Sequence, residues 1–186
     1  LKKMASHFTE QRQLILGYGA YNKASGFLNA LIRYETLLTA VQYFSYARAG
    51  IPYMGVGRNL AYSSSLFYNN NGFISHMKIP SGDDDLFVNE VATKKNTAIC
   101  IDKDAFTYSD PKHTWGAWFF QKKRHISTAT YYKIKHKTLL GIFYACTLMF
   151  WILAFLSMAL LDWEIPAALI AFRLIFQLLV IGKAAL

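Results

Sequence analysis

Ser81-Gly82-Asp83-Asp84-Asp85-Leu86 opens a stretch that reads as a helix running to about residue 93. Three adjacent carboxylates repel one another, so their clustering needs a cause. One cause is structural. The positive end of a helix dipole favours acidic residues in the first turn, and Ser81 is placed to cap that turn. The other is chemical. A carboxylate held beside a hydroxyl can take its proton as a general base.

Downstream, residues 97–101 and 105–108 read as two strands joined by a turn at Asp102-Lys103-Asp104. Pro111 precedes a helix from about 114 to 130. On that helix Gln121, Arg124 and His125 fall on one face, at i, i+3 and i+4. An arginine fork and an amide together suit a phosphate or a sugar hydroxyl. A basic helix flanking a membrane accounts for the same residues. His113, before the helix, reads as a surface residue.

Upstream, Leu14-Ile15-Leu16-Gly17 reads as a buried strand ending in a glycine turn through Gly19. Residues 27–48 are helical by period, with Phe27, Leu31, Tyr34, Leu38 and Val41 on one stripe. Gly50 and Pro52 end this helix. Residues 52–62 form a loop entering a strand. Within it Arg58 and Asn59 are candidates to line an acceptor site; an asparagine bonding the loop's own backbone is the alternative.

The C-terminal part is of another kind. Residues 138–161 contain no charged side chain. As a helix they would reach roughly 36 Å, more than the ~30 Å hydrocarbon core of a bilayer. Asp162-Trp163-Glu164 is a polar turn. Residues 165–181 form a second apolar stretch carrying Gln177 and Arg173, the latter set to pair with Glu164 or a lipid phosphate. Lys133, Lys135 and Lys137 stand directly before the first span, the placement of a cytoplasmic flank. A net charge of +9 also suits nucleic acid, but no nucleic-acid motif accompanies it. Membrane lipids are expected partners and nucleic acid is not. Cys100 in a strand and Cys146 in the span are expected to form neither a disulfide nor a metal cluster. No Ser-His-Asp or zinc-ligand spacing occurs.

An acidic doublet opening a helix, a Q-x-x-R helix about 37 residues on, and then apolar spans: this order resembles the family 2 processive-type glycosyltransferases of the GT-A fold, bacterial members included. The doublet matches Asp83-Asp84 and the second motif matches Gln121-x-x-Arg124-His125. Residues 52–62 resemble the segment entering the acceptor side, and the likeness covers about 14–132. His125 stands where the family has tryptophan. Aligned on the doublet, Asp84 is the base; counted back from Leu86, Asp83 is.

The resemblance implies an α/β chain: part of a GT-A domain over residues 1–132, then a juxtamembrane segment and transmembrane helices over 133–186. It implies an inverting transfer of sugar from a nucleotide-sugar to a glycan or lipid-linked acceptor, with Asp83 or Asp84 catalytic. Gln121, Arg124, His125, Arg58 and Asn59 would bind acceptor or diphosphate. It implies Mg²⁺ or Mn²⁺ on ligands in a donor-binding half that precedes Leu14, so the chain is expected to be a front-truncated fragment, inactive alone. It places the protein in the cell (inner) membrane with its globular part cytoplasmic. A non-catalytic membrane scaffold with a basic domain is the competing expectation; it leaves the acidic doublet and Q-x-x-R unexplained. An enzyme needs Asp83 and Gln121 to face one cleft.

Overall fold

The computed structural model describes residues 2–160 and 162–185. Leu1 and Leu161, the opening residue and the predicted end of the first apolar span, lie outside them. The chain is a mixed helix-and-sheet protein that divides into two compact units, Leu1–Lys133 and Ile134–Leu186.

In the first unit a short helix α1 (Lys2–Ala5) leads to strand β1 (Leu14–Gly17). Leu14, Ile15 and Leu16 have no exposed surface. A continuous apolar run suits a central strand covered on both faces. β1 pairs antiparallel with β3 (Leu60–Tyr62) and parallel with β4 (Thr97–Cys100). Ile15 points to one face, where it packs with Met4, Cys100 and Ala105. Leu16 points to the other, towards Gly55 and α4 (Asp83–Val91). A side chain at Gly55 would fall 2.9 Å from Leu16 and 3.2 Å from Val88. That glycine lets the 51–56 loop lie between strand and helix.

The predicted glycine turn after β1 is a break, not a stop. The chain resumes as β2 (Gly19–Tyr21), which pairs parallel with β5 (Thr107–Ser109). Across the break Tyr18 stands opposite the longer segment 101–106. Asn59 closes it: its amide donates to the Tyr18 carbonyl at 2.9 Å and to the Ala105 carbonyl at 2.8 Å. The predicted strands at 97–101 and 105–108 thus belong to separate ladders. The Asp102-Lys103-Asp104 turn is a 3₁₀ turn, Lys103–Ala105, in which Asp102 accepts from the Asp104 N–H and pairs with Lys3 at 3.0 Å. Lys3 holds the Asp102 carboxyl below the ordinary carboxylate range.

Helix α2 (Phe27–Arg48) has the expected bounds but a different buried face. Phe27 is 75% exposed and Tyr34 41%; the buried residues are Asn29, Ile32, Ala40 and Tyr43. Hydropathy alone misses this face because two of its members are held by polar bonds. Asn29 accepts from the Ala24 N–H and donates to the Asn22 carbonyl. The Tyr43 hydroxyl donates to the Gly17 carbonyl at 2.7 Å. A short helix α3 (Ser64–Asn69), capped by Ser63, adds Phe67 to an aromatic cluster with Tyr62, Phe73 and Phe87. Phe87 anchors α4 in that cluster. The last helix of this unit is α5 (Trp115–Thr128), capped by Thr114; His113 is exposed.

The second unit is two helices, α6 (Ile134–Leu160) and α7 (Glu164–Ala185). Both are long and apolar enough to cross a membrane. Their Leu, Ile and Phe side chains are largely uncovered by protein. Arg173 does not pair with Glu164, which opens α7. Its guanidinium lies over the Phe150 ring at 3.9 Å, a cation–π contact. Both cysteines are free, Cys100 buried in β4 and Cys146 exposed on α6.

Asn59→Ala leaves the half-buried Tyr18 and buried Ala105 carbonyls without this donor. We expect it to lower the stability of the first unit by about 1–3 kcal/mol. A shifted urea midpoint with unchanged slope, followed by near-ultraviolet dichroism, checks this; an unmoved midpoint would show that the break needs no closure.

Candidate active-site cleft

One cleft in the first unit, about 500 Å³, collects most of the residues singled out from the sequence. Its volume falls in the range of small-molecule sites, roughly 300–1,000 Å³. Asp83, Asp84 and Asp85 line one side; Gln121, Lys122, Arg124 and His125 line another; Arg58 contributes from the loop before β3. Asp83 and Gln121 therefore share one cleft. Asn59 does not line it: the residue is buried in the strand break.

Two glycines allow this closeness. Gly82, not Ser81, caps α4, with φ +83° and no side-chain cap. A side chain there would fall on Thr128, near the end of α5. Thr128 donates to the Ser81 carbonyl, so the start of α4 and the last turn of α5 are fastened together. The Ser81 cap predicted from sequence is thus displaced. Its carbonyl serves α5, and the left-handed turn that only glycine adopts easily begins α4. Gly57 is the second. Its N–H donates to Asp84 Oδ2 at 2.5 Å, and a Cβ at this residue would come within 2.6 Å of the same oxygen.

The three carboxylates differ in setting. Asp83 is exposed and Asp84 is half-buried and held by Gly57. Asp85 turns inward, where burial first, then the charge on Asp84, pushes its carboxyl well above the usual range. The Tyr132 hydroxyl, bonded to it, opposes that rise. Tyr132 itself is buried, and its phenol is pushed far up by desolvation and by Asp85.

On the facing helix, Gln121 donates to the Tyr21 hydroxyl at 3.2 Å. Tyr21 also lies under the Arg58 guanidinium, 4.0 Å from ring centre to Cζ. Arg58 donates to the Ala20 carbonyl at 2.9 Å. This arginine is tied to β2 while lining the cleft. Lys122 forms an ion pair with Glu35 of α2. His125 has its imidazole pushed below the ordinary value, by desolvation and then by Lys122 and Arg124. At neutral pH it is therefore an uncharged hydrogen-bonding group.

Sequence reading missed the α2 wall of the cleft. Ile32, Glu35, Thr36, Thr39 and Tyr43 line it at helical spacing. The signal was present as a polar stripe, but the apolar stripe beside it masked the pattern. It also missed Trp118; Asp85 stood in the acidic cluster but was given no role of its own. Among the described residues no group of three His, Cys, Asp or Glu side chains is placed to hold a metal ion. The carboxylates here do not by themselves fit a divalent-cation site.

Asp85 yields a pH-dependent expectation. Its folded carboxyl holds a proton more tightly than the unfolded chain does, whose value is about 3.9. Stability from this group is therefore lost as pH rises above about 4. Asp85→Asn removes that loss, so the variant should gain on the native protein progressively between pH 4 and 7. Urea midpoints of both proteins across this interval test it; a pH-independent difference would mean Asp85 ionises freely. Compared with known proteins, the chain matches no family model, no curated protein and no solved structure.

Proposed function

We propose that the cleft is the acceptor and catalytic side of a membrane-bound inverting glycosyltransferase. The enzyme would move a sugar from a nucleotide-sugar to an acceptor hydroxyl in the synthesis of cell-surface glycan. One observation carries this reading: the carboxylates opening α4 and the Gln121, Arg124 and His125 of α5 face each other across the same cleft. A scaffold has no need of that arrangement.

In this mechanism Asp83 or Asp84 takes the proton of the acceptor hydroxyl. The freed oxygen forms a bond to the anomeric carbon from the face opposite the leaving group. The bond from that carbon to the diphosphate oxygen breaks, and its electron pair leaves with the nucleoside diphosphate. Inversion follows from the in-line geometry. The Gly57 N–H orients Asp84 by binding one carboxylate oxygen and leaves the other for the proton. Arg124 supplies a positive fork for diphosphate or acceptor. Among the described residues no ligand set for a divalent cation is present.

The two apolar helices suit an anchor in the cell (inner) membrane. The positively charged Lys133, Lys135 and Lys137 argue for a cytoplasmic first unit, where nucleotide-sugars are found.

In the product of the native coding sequence, Asp83→Asn or Asp84→Asn should lower transfer of labelled hexose into membrane glycan by roughly a hundredfold or more, the scale of lost general-base catalysis. Near-native turnover in both variants would sink the assignment. For the topology, a cysteine at Trp163 should react with an impermeant thiol reagent in intact cells, while one at Lys133 stays unlabelled. The reverse pattern would cut the cleft off from its donor.

A further inference from the structure

At the α2 end of the cleft two polar atoms are buried without partners. One is Glu35 Oε2, a hydrogen-bond acceptor; the other is Trp118 Nε1–H, a donor. Leaving such an atom unpaired is destabilising, because it gives up its hydration without gaining a partner. Both residues line the same cleft. The other oxygen of Glu35 is engaged by Lys122, which lies one turn after Trp118 on α5. That ion pair ties the glutamate to the helix that bears the indole.

The neighbouring threonines add acceptors. Thr36 donates its hydroxyl proton to the Ile32 carbonyl at 2.7 Å, and Thr39 to the Glu35 carbonyl at 2.9 Å. With their protons committed to the helix, their oxygens can still accept. The wall thus offers an indole ring, one N–H donor and several acceptors, one of them charged.

We infer that Trp118 and Glu35 form a saccharide subsite, in which the two unpaired atoms bind hydroxyl groups of a pyranose. A hydroxyl is both donor and acceptor, so it can satisfy Glu35 and Trp118 as no acyl chain can. A phosphate is repelled by the Glu35 carboxylate. The C–H face of a pyranose supplies an apolar surface for the indole, an aromatic body with a polar handle. The inference rests on the proposed reading of the cleft as an acceptor site, and it names the residues that would recognise the sugar unit beyond the reacting hydroxyl.

Binding, not turnover, is the test. The full chain in detergent micelles is titrated with methyl glucoside, methyl galactoside, methyl mannoside, methyl N-acetylglucosaminide and cellobiose, read by saturation-transfer NMR. Uridine and guanosine serve as competitors. At least one glycoside should bind saturably. Trp118→Phe, which keeps a ring and removes the N–H, should weaken it roughly fivefold, and Glu35→Gln roughly tenfold or more, the scale of one neutral and one charged hydrogen bond. Trp163→Phe should leave binding unchanged, and thermal unfolding midpoints show that the variants are folded. No saturable glycoside binding, equal binding in both variants, or displacement by nucleosides in preference to glycosides would overturn the subsite. Asp83→Asn and Asp84→Asn separate the two readings. Glycoside binding that survives in them and depends on Trp118, with native transfer also surviving, removes the base and leaves the subsite. Transfer lost in them while Trp118→Phe and Glu35→Gln leave binding unaltered does the reverse.

Discussion

Helix α4 can hold three carboxylates at the edge of a cleft because the next three residues are locked to the sheet. Leu86, Phe87 and Val88 are buried, two of them completely. Val88 lies across Gly55 from Leu16 of the central strand, and Phe87 sits among Tyr62, Phe67 and Phe73. Asn89 continues the anchor, donating to the Tyr53 carbonyl at 2.7 Å and accepting from the Lys133 N–H at 2.9 Å. Mutual repulsion of Asp83, Asp84 and Asp85 works against this placement. Apolar burial worth roughly 1.5–3 kcal/mol per large side chain opposes it. The position of the acidic group is therefore a consequence of the core beneath it.

The cleft then balances its charge locally. The acidic wall meets a basic helix, and each charge that turns inward has a neighbour that answers it. Gly57 binds Asp84, Tyr132 bonds Asp85, and Lys122 binds Glu35. Arg58 is spread over Tyr21 and bonded to Ala20. Such fixed groups need little rearrangement when a polar ligand enters, which is the condition for electrostatic preorganisation. Glu35 Oε2 and Trp118 Nε1 are exceptions to this balance, and both residues line the same cleft.

The second unit follows a simpler rule. Its helices are apolar nearly all round, and such helices are stable only where something apolar surrounds them. Within the unit, the Arg173 charge is covered by the Phe150 ring and approached by Trp151. A cation among apolar helices is costly unless some group receives it, and an aromatic face does so.

Much of this could be read from the order of residues alone. The buried strand at Leu14–Gly17, the helix Phe27–Arg48 and the two apolar helices are legible because local hydropathy and glycine or proline punctuation decide them. The face shared by Gln121, Arg124 and His125 follows from helical spacing. Other features depend on contacts between distant residues. Asn59 was a candidate for the acceptor wall, yet it serves the strand break, because only the fold brings Tyr18 and Ala105 to its amide. The buried face of α2 runs through Asn29 and Tyr43, since hydrogen bonds to residues 22, 24 and 17 outweigh hydropathy there. Gly82 replaced Ser81 as the cap because Thr128, over 40 residues away, occupies the space a side chain would need. Sequence determined which residue types were available and on which helical face they lie. Tertiary structure decided which of three adjacent aspartates turns inward and which helices face across the cleft, because burial and close approach are properties of packing.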